Sequence, residues 1–555
     1  MKPADYEKQY ADALNERQRY ESHWKEVAEQ FAPNRLRLND SDRDSGRKKH
    51  TSIINSATIR ALNVLASGMT AGITSPARLW YKVNSPLREL NEAPGVREWL
   101  ADVEEIIFQE LGKSNAYNAL TTAYMDIGAF GNAAVYEYED LDTGSVRFRV
   151  FPVGQWAATF DANQRPASFF QEFSMSVEQL VTEFGREACS VEVQNQFDAG
   201  RKQEWHRVVV CVRRATNEDK YRFPYISHWY ERRLGKAGGD KFLREDGFEE
   251  FPVFLPRWDV AGEDAYGTSP GMEALGDARA MQLFEKRKAQ LVELLVAPPM
   301  QGPSNMMNQR FSLLPGELTL VDQVGQGGGI RPLHEVNPAA ISAINESIQS
   351  KERQIQQAFY ADLFLSLSLS SDRAKTAREV IELHEEKMLQ LGPVLERLET
   401  ELLGPLIERT FGILWRMGKI PPPPEDLQGQ PLKIEYISIL AQAQKMMGVT
   451  ALERMVSFTG AMAQYSPSVL DKLNFDQVVD EYSRMVGVSP EVVNSDEVVA
   501  QQRMARAEQA RQQAELQQAQ VAASAVKDLG AAKLEDDTAL GRLLGGLGGI
   551  ATAGR

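Results

Sequence analysis

The longest helical pattern in this chain runs from Asp372 to Ile420. It opens with Thr376-Ala-Arg-Glu379, a spacing at which the Thr and Glu side chains can cap each other's backbone N–H groups. Apolar residues then recur every three or four positions, on one stripe of a helix: Met388, Leu391, Leu395, Leu398, Leu402 and Leu406. The opposite side carries Glu396, Arg397, Glu399, Glu401 and Glu408.

Two Gly-Pro pairs interrupt this pattern, Gly392-Pro393 and Gly404-Pro405. Each proline removes a backbone N–H and pushes against the carbonyl four residues back, so we predict a long helix that bends once or twice. The alternative is two or three short helices joined by ordinary turns. A long rod with one apolar stripe needs a large neighbour, from this chain or from another copy.

Helical and strand-like patterns alternate through residues 1–268. Apolar spacing predicts helices at 4–31, 53–74, 98–111, 115–127 and 177–184. Strand-like runs lie at 79–83, 206–213, 225–230 and 251–258, and a β-hairpin is predicted from 133–138 and 146–151. These residues therefore form a mixed α+β region.

Helical periodicity dominates the remainder, so the chain as a whole is predicted to be α+β and predominantly helical. One helix is expected at 269–297, with Pro270 at its first position, and a second at 339–360, with a narrow isoleucine stripe. Residues 298–338, rich in Gly, Pro, Asn and Met, separate them. We further expect an apolar and hydroxyl loop within 361–375, short helices in 432–500, a Gln/Ala-rich helix at 501–529 capped by Asn494, and a flexible tail at 530–555.

The length and the hydrophobic runs of the chain predict a large protein with neither a signal peptide nor a membrane span. Its 555 residues can bury a substantial core. The N-terminus lacks the apolar core of a signal peptide, and no apolar run reaches the roughly 18 residues of a membrane span. Cys189 and Cys211 are too few for a disulfide framework, so reduced thiols in a cytosolic setting are expected.

The net charge excludes the class of nucleic-acid-binding proteins whose surface is basic overall. The formal net charge is −15, from 77 acidic and 62 basic residues. Any contact with DNA must therefore be local, through small basic clusters.

One motif matches the GxSxG pattern of serine hydrolases, Gly267-Thr-Ser269-Pro-Gly271. In that motif the residue after the nucleophile donates its backbone N–H to the oxyanion hole. Here that residue is Pro270, which has no N–H. Ser269 is therefore better interpreted as a helix cap followed by proline at the first helical position.

Other chemical motifs fail on spacing. Gly112-Lys113-Ser114 resembles the end of a phosphate-binding loop, but Ile107 stands where a glycine is required. Gly325 to Gly329 has no flanking strand and helix, and is more typical of a loop. The six histidines show no metal-ligand spacing with each other or with the cysteines. We therefore assign no catalytic, cofactor-binding or metal-binding residues.

Two basic clusters stand out against the acidic average. One is Lys286, Arg287 and Lys288 on the helix at 269–297, and the other is Arg373, Lys375 and Arg378 beside the Ser/Leu loop. A solvated helix face is the usual explanation of such clusters. They favour a DNA-facing role only if the loop lines a channel.

Several motifs occur in the same order and spacing as in a known family, over roughly residues 50–510. They are Leu62 to Gly68 with Trp80, Phe130 to Val135, Phe251 to Trp258, Tyr266 to Pro270, Thr376 to Glu379, Ile434 to Gln444 and Gly487 to Pro490. On these motifs the chain resembles the head-to-tail connector, or portal, proteins of short-tailed bacteriophages.

The resemblance implies the portal fold and a closed ring of about a dozen identical subunits. It maps residues 1–268 onto the wing, 269–297 and 339–360 onto the stem, and 298–338 onto the clip. Residues 361–375 would be the channel loop, and 376–431 the long bent helix that joins channel to wing. Residues 432–500 would be the crown, and the helix at 501–529 fits a barrel found in some relatives.

The resemblance also implies the partners and the location. Double-stranded phage DNA would pass through the ring, and the clip would dock terminase and the tail adaptor. Capsid and scaffolding proteins would surround the ring at one capsid vertex of the virion, after assembly in the host cytoplasm, with no membrane and no cofactor. The implied channel residues are Ser366, Ser368, Ser370, Arg373, Lys375 and Arg378, and Lys286, Arg287 and Lys288 would form a basic patch on the stem.

A competing interpretation is a cytosolic helical scaffold that forms dimers or filaments through the long helix. The sequence leaves it open. It differs from the portal interpretation in the native mass that it predicts.

Overall fold

The computed structural model describes residues 2–38, 51–87, 90–91, 93–216, 222–233, 235–301, 331–332, 337, 339–364, 391–429, 432–436, 452–463, 465–486, 493 and 496–531. The chain divides into two compact units, Met1–Lys445 and Met446–Arg555.

The first unit is built on helices of very different length. In chain order they are α1 (Pro3–Phe31), α2 (Ala57–Gly72), α3 (Pro94–Lys113), α4 (Ala116–Phe130), α5 (Val177–Phe184), α6 (Val191–Asp198), α7 (Pro270–Glu273), α8 (Leu275–Val296), α9 (Ala339–Ala358), α10 (391–398) and α11 (Gly404–Arg416). The helix predicted at 177–184 is confirmed. It begins at a capping box in which the Ser176 N–H donates to Gln179 Oε1 at 3.0 Å.

The strands form small antiparallel sheets. They are β1 (Tyr81–Asn84), β2 (Val135–Asp140), β3 (Ser145–Val150), β4 (Trp156–Phe160), β5 (Pro166–Ser176), β6 (Trp205–Arg214), β7 (Tyr225–Arg233), β8 (Lys236–Ala237), β9 (Arg244–Phe248), β10 (Val253–Phe254), β11 (Met300–Gln301), β12 (Arg331–Pro332) and β13 (Lys433–Tyr436). The largest sheet has the order β4-β5-β6-β7-β8, with β9 also paired to β7. The predicted hairpin is confirmed as β2 and β3, and β10 extends it. The prediction of a mixed α+β architecture is thus confirmed.

Two expectations about strands are wrong in detail. The run 251–258 forms only the two-residue strand β10, because Pro252 and Pro256 flank it and cannot donate to a ladder. Strands β4 and β5 lie where no strand was predicted. In β4 the sequence Trp-Ala-Ala-Thr-Phe contains two alanines, which have low strand propensity.

The main core joins the helices to the hairpin. Helices α2 and α4 pack against each other, and Leu65, Ala66, Ala123 and Ile127 are fully buried between them and their neighbours. A second cluster lies on the other side of the large sheet, where Tyr6 and Tyr10 of α1 cover apolar residues of the sheet. Helix α1 therefore contributes to both cores, which explains its intermittent apolar positions.

The region of the GxSxG motif is a close backbone crossing. Gly131, with φ of 78°, packs so tightly that an added Cβ would lie 2.3 Å from the Gly267 carbonyl oxygen. The Gly267 N–H donates to Asn132 Oδ1 at 2.8 Å. Because two backbone segments meet here, glycine is required by packing rather than by chemistry.

The long helix predicted around Gly404-Pro405 is continuous over 391–416, with a change of winding. Residues Glu399–Leu403 form a π-helical segment immediately before Gly404. This is where a proline removes a regular hydrogen bond, so the irregularity coincides with the second predicted bend. The alternative prediction, two or three short helices joined by turns, is wrong over residues 391–416, which are helical throughout. The helix ends at Arg416 rather than at Ile420, and Gly418 follows with φ of 70°. Residues 372–390 lie outside the described residues.

The π segment is fixed by a buried ion pair to the mixed α+β region of residues 1–268, for which "wing" is used below as a label only. Arg257 Nη2 lies 2.6 Å from Glu401 Oε1, and the Arg257 backbone N–H donates to Glu401 Oε2 at 2.8 Å. The guanidinium also donates to Gln164 Oε1 at 2.8 Å and lies 4.1 Å from the centre of the Phe160 ring. Glu401 was expected on a polar helix face, but it instead anchors the helix to the wing.

A second anchor joins α11 to the hairpin. Thr410 Oγ1 donates to Glu137 Oε1 at 2.7 Å, and Arg409 Nε donates to the Glu137 carbonyl at 3.2 Å. Glu137 is fully buried, and its Oε2 has no hydrogen-bond partner among the described residues. Burial raises the pKa of Glu137 to about 8, against the opposing charge of Arg409. The side chain is therefore largely protonated at neutral pH.

Residues following the long helix return to the wing. Strand β13 pairs antiparallel with β1, with Tyr81 opposite Tyr436. Short helices were predicted from residue 432, and this is wrong at 433–436. The two charged residues Lys433 and Glu435 alternate with Ile434 and Tyr436, which is a strand pattern of period two.

The second unit is helical where it is described. It contains α12 (452–463), a 3₁₀ turn at Pro467–Lys472, α13 (Phe475–Val486) and α14 (Asp496–Ala531). The helix predicted at 501–529 lies within α14. Its proposed cap, Asn494, and residues 532–555 of the predicted tail lie outside the described residues.

The buried Glu137 predicts a distinctive pH dependence of stability. The unfolded chain loses this proton near the ordinary value of 4.5, whereas the native state keeps it until about 8. Raising the pH between these values therefore favours unfolding, by roughly 1 kcal/mol per pH unit, and the penalty is complete above the native pKa. We expect Glu137→Gln to gain stability relative to the unsubstituted protein as the pH rises from 5 to 8.

Thermal unfolding at several pH values measures this difference. The control is Glu139→Gln on the same strand, where the carboxylate lies 3.7 Å from Arg416 and is partly exposed. The control should show no such gain. A gain of Glu137→Gln that stayed constant with pH would contradict a protonated Glu137.

Candidate nucleic-acid interface

The residues predicted to form the stem include two helices that pack against each other, α8 and α9, and "stem helices" is used below as a label for this pair only. Beyond them, β11 and β12 pair antiparallel, with Met300 opposite Pro332. The ends of the two helices are therefore tied together where residues 302–330 leave the pair. Most of the predicted clip, 298–338, lies outside the described residues.

One asparagine binds both stem helices to the wing. The Asn55 side-chain Nδ2 donates to Glu285 Oε1 of α8 at 3.0 Å and to Glu352 Oε1 of α9 at 2.8 Å. Its Oδ1 accepts from the Ala57 N–H at 2.9 Å, which caps α2. One side chain thus joins three helices, and hydrogen bonds to carboxylates are stronger than those between neutral groups.

Gln282 completes this attachment, which we call the Asn55 clamp (Asn55, Gln282, Glu285 and Glu352). Gln282 Oε1 accepts from the backbone N–H groups of Ile54 and Asn55 at 2.8 and 2.9 Å, and its Nε2 donates to the Asn55 carbonyl at 2.8 Å. The side chain is buried. The clamp was not predicted, because its partners are more than 200 positions apart and only the fold brings them together.

Ion pairs reinforce the base of the stem. Lys351 Nζ lies 2.7 Å from Asp277 Oδ1 and links α9 to α8. Arg279 lies 3.0 Å from Glu26 and links α8 to α1. Both pairs are partly exposed, so they orient the helices more than they stabilise them.

The end of α8 is different. Its last two turns expose Val292, Leu294, Leu295 and Val296, and Leu283 nearer the base is exposed as well. Large exposed apolar residues grouped at one end of a helix favour a contact with another surface. The stem is therefore held at its base by the wing and exposes apolar residues at its far end.

The three basic residues of the predicted stem patch do not share one face. Consecutive residues of a helix point roughly 100° apart. Lys286 and Arg287 are exposed, and Arg287 donates to Gln290 at 3.1 Å. Lys288 is half-buried and lies 3.6 Å from Glu285 of the clamp. Lys286 and Arg287 are therefore the members of this set that are open to a polyanion.

The predicted channel residues cannot be placed. Ser366, Ser368, Ser370, Arg373, Lys375 and Arg378 all lie outside the described residues, and their role stays a prediction. The residues just before them are described. Leu363 and Phe364 are buried, and Phe364 packs directly over Gly68 of α2.

Ser269 has a structural position. It is buried, it accepts a hydrogen bond from the Met272 N–H at 3.1 Å, and its Oγ donates to the Ala129 carbonyl at 2.7 Å. Pro270 follows at the first helical position, as predicted. The hydroxyl thus caps α7 and joins it to α4.

Further chemical sites are not apparent in the described part of the chain. No group of three or more His, Cys, Asp or Glu side chains there is arranged to hold a metal ion. None of the helices described is long and apolar enough to cross a membrane. Cys189 and Cys211 are buried free thiols, and burial raises the pKa of Cys189 to about 11.

The architecture is that of a mixed wing carrying a helix pair and a long, interrupted helix, and comparison identifies its class. The family model described as "Bacteriophage head to tail connecting protein" matches residues 4–493. The chain therefore belongs to the bacteriophage head-to-tail connecting protein family, which confirms the resemblance inferred from its motifs.

Individual relatives carry more specific names. The chain is 40% identical over 541 residues to the "Portal protein" of Salmonella phage epsilon15, a match covering 96% of both chains. It is also 40% identical over 505 residues to the "Probable portal protein" of Bordetella phage BPP-1, covering 90% of this chain and 91% of that one. A weak similarity, with a TM-score of 0.37 and 11% identity, links it to a chain of the "Virion of native gene transfer agent (GTA) particle", covering 78% of this chain and 89% of that one.

The Asn55 clamp predicts a charge-specific effect on stability. Asn55→Asp keeps the oxygen that caps α2 but replaces the donor with a third carboxylate beside Glu285 and Glu352. Like charges at hydrogen-bond distance repel, and two charge-assisted bonds are lost. We expect the first thermal transition to fall by about 2 °C or more at pH 7.5 and low salt, since about 1 kcal/mol shifts the midpoint of a unit this large by roughly 1 °C.

Scanning calorimetry with a matched control tests the clamp. Thr51→Asp adds the same charge to the same loop, at an exposed position four residues earlier, and should shift the transition far less. If both variants behaved alike, Asn55 would act only as a helix cap and not as a link between the stem helices.

Proposed function

We propose that this protein forms the portal ring at one vertex of a phage capsid. Double-stranded DNA would enter the head through its bore during packaging and leave through it during ejection. The observation that carries the proposal is the family match over residues 4–493, together with relatives named as portal proteins along nearly the whole chain. The protein would act as a conduit, while a separate motor supplies the energy.

The shape of the first unit supports assembly into a closed ring of about a dozen copies. The stem helices are anchored at one end by the Asn55 clamp and expose apolar residues in the last two turns of α8. In a ring, each copy presents one surface to the next, so a neighbouring stem would cover part of this exposed end.

The charge distribution suits a channel through which DNA slides. Every phosphate neutralised by a tightly held cation adds to the affinity, and many such contacts would arrest the duplex. A chain with a net charge of −15 and a few local cations avoids this. We propose that Arg373, Lys375 and Arg378, with Ser366, Ser368 and Ser370, face the bore in and just after the loop 361–375. Lys286 and Arg287 would provide weaker contacts on the stem.

The docking roles follow from the same assignment. We propose that residues 298–338 form the clip that binds terminase and later the tail adaptor. The wing, residues 1–268, would contact capsid and scaffolding proteins, and residues 432–500 would form the crown on the head side. Assembly would take place in the host cytoplasm. The competing interpretation, a cytosolic helical scaffold, has no support in the family match.

Changing Arg373, Lys375 and Arg378 together to Ala tests the channel assignment. Removing these cations should lower the amount of DNA that a complementing phage packages or retains, because the loop would no longer hold the duplex at the bore. The ring itself should still assemble. Quantifying DNA per particle, alongside the native mass of the purified variant, separates the two effects.

A charge-matched control is the triple change of Lys236, Lys241 and Arg244 to Ala in the wing. It removes the same charge far along the chain from the loop and should leave the DNA content unchanged. Loss of the ring in the channel variant would mean that these three residues are structural. Normal packaging by that variant would contradict a channel role.

A further inference from the structure

A groove of about 1020 Å³ separates two sheets of the wing. One wall is the hairpin sheet, β10-β2-β3, and the other is the large sheet that contains β5, β6, β7 and β9. Each sheet buries its far face, the hairpin sheet in the main core and the large sheet under α1. Facing sheets normally pack about 10 Å apart with interdigitating side chains. The two faces that border this groove leave a space that their own side chains do not fill.

Aromatic rings line both walls of the groove. On the hairpin sheet, Tyr136 stacks on Tyr138 with 5.4 Å between the ring centres, and on Phe151 with 6.0 Å. On the large sheet, the rings of Phe173 and Trp229 meet edge to face at 5.8 Å. Tyr138 is 37% exposed, and Tyr136, Phe173 and Trp229 are half-buried. The rings are therefore held in place by their neighbours and still present apolar surface to the groove.

Two buried polar side chains also line the groove, Gln171 of β5 and Ser227 of β7. Their exposed fractions are 7% and 2%. Neither side chain has a hydrogen-bond partner among the residues that the structure describes. Most buried polar groups in proteins are hydrogen-bonded, so these two lack the partner that burial normally requires. The Gln171 amide can both donate and accept, which matches the N–H and C=O groups of a peptide backbone.

The edge of the large sheet borders the groove as well. Residues 244–249 line it one after another. Side chains of a strand alternate between its two faces, so a run of consecutive lining residues means that the groove borders the edge of β9. In the described part of the chain, β9 pairs only with β7. The open edge of β9 therefore offers backbone N–H and C=O groups, which is a template for adding an extended peptide.

One arginine indicates the charge of the occupant. Arg149 of β3 is exposed, and its guanidinium lies 5.4 Å from the centre of the Phe151 ring. No described carboxylate pairs with Arg149, whereas Arg409 and Arg416 at the same groove are paired with Glu250. Arginine binds carboxylates through charge-assisted hydrogen bonds. An acidic residue beside an apolar run therefore suits this side of the groove.

A polynucleotide fits the groove poorly. The carboxylates of Glu139, Glu245 and Asp246 line it, and they would repel a chain that carries a phosphate on every residue. An extended peptide can carry a single acidic residue and be apolar elsewhere. Its successive side chains point to opposite sides, so apolar residues can meet both aromatic walls at once.

We infer that this groove binds an extended segment of another protein of the particle. The segment would pair with the open edge of β9, place apolar side chains against the two aromatic walls and place an acidic residue beside Arg149. This inference rests on the proposed function, in which the wing contacts capsid and scaffolding proteins. It names the surface and the chemistry of that contact, and binding itself requires neither a ring nor DNA.

Fluorescence anisotropy on the purified full-length protein tests the chemistry with two labelled peptides, Glu-Val-Phe-Ile-Val-Glu and Lys-Val-Phe-Ile-Val-Lys. They share an apolar run and differ only in charge. We expect the acidic peptide to bind about 10-fold more tightly, because it can form the charge-assisted bond to Arg149. Arg149→Glu should reverse this preference, whereas Arg165→Glu, an exposed change on the turn between β4 and β5, should not. Equal binding of the two peptides, no saturable binding, or an unchanged preference in Arg149→Glu would overturn the inference.

Gln171→Leu separates a binding role from a structural one. The change roughly keeps the size of the side chain and removes an amide that has no described partner, so the protein should remain at least as stable. Binding of the acidic peptide should nevertheless weaken by about 10-fold, because its backbone would lose a hydrogen-bond partner. Unchanged affinity in a stably folded Gln171→Leu protein would overturn the inference.

Cross-linking in particles made by a complementing phage identifies the source of the segment. A photoreactive p-benzoylphenylalanine in place of Tyr138 should cross-link to a second protein, at an apolar run that contains an acidic residue. The same group in place of Val191, which is 73% exposed and does not line the groove, should not reach that segment. Cross-links confined to this chain or to another copy of it, or none at all, would overturn the inference.

Failure of the proposed function would look different. If the purified protein formed no ring, native mass would show it, and the peptide measurement would still decide whether the groove binds. A protein that forms rings and packages DNA but binds neither peptide would leave the portal assignment intact. It would remove the groove as a contact site.

Discussion

The fold depends on buried polar side chains that fix its long helices to the wing. The Arg257–Glu401 pair holds the π segment, Glu137 and Arg409 hold α11, and Asn55 holds both stem helices. Arg257, Glu137 and Arg409 are buried, and the loss of a partner is costly there because the remaining group stays buried without compensation. The bonds of Asn55 are only partly removed from water. These contacts fix the position of each long helix and determine which of its faces is exposed to solvent.

Exposed apolar side chains on a long helix are the second feature of the structure. The last two turns of α8 expose Val292, Leu294, Leu295 and Val296, whereas most large apolar side chains of residues 1–268 are buried. Exposed apolar residues grouped in this way favour a contact with another molecule. In the proposed ring, a neighbouring copy would cover part of this helix end. The proposed contact with DNA would then be left to a few local cations.

Local sequence patterns predicted many of the helices, but not the contacts between residues far apart in the chain. Helical periodicity predicted α1, α5, α8 and α9, and the second Gly-Pro pair indicated the irregularity before α11. Proline at 270 was enough to reject a nucleophile at Ser269. The sequence analysis did not predict the pairing of β1 with β13 or the Asn55 clamp. Both join residues hundreds of positions apart, and no local pattern at either residue indicates its partner. Glu401 looked like a solvated residue for the same reason.

The most direct test of the central claim is electron cryomicroscopy of the purified full-length protein. We predict a closed ring of about a dozen copies, with the paired α8 and α9 helices beside a central bore and the exposed apolar end of each α8 against the neighbouring subunit. It also predicts the loop that contains Arg373 at the narrowest part of the bore. Rings in which the stem helices point away from the axis, or open filaments joined through the long helix, would contradict it.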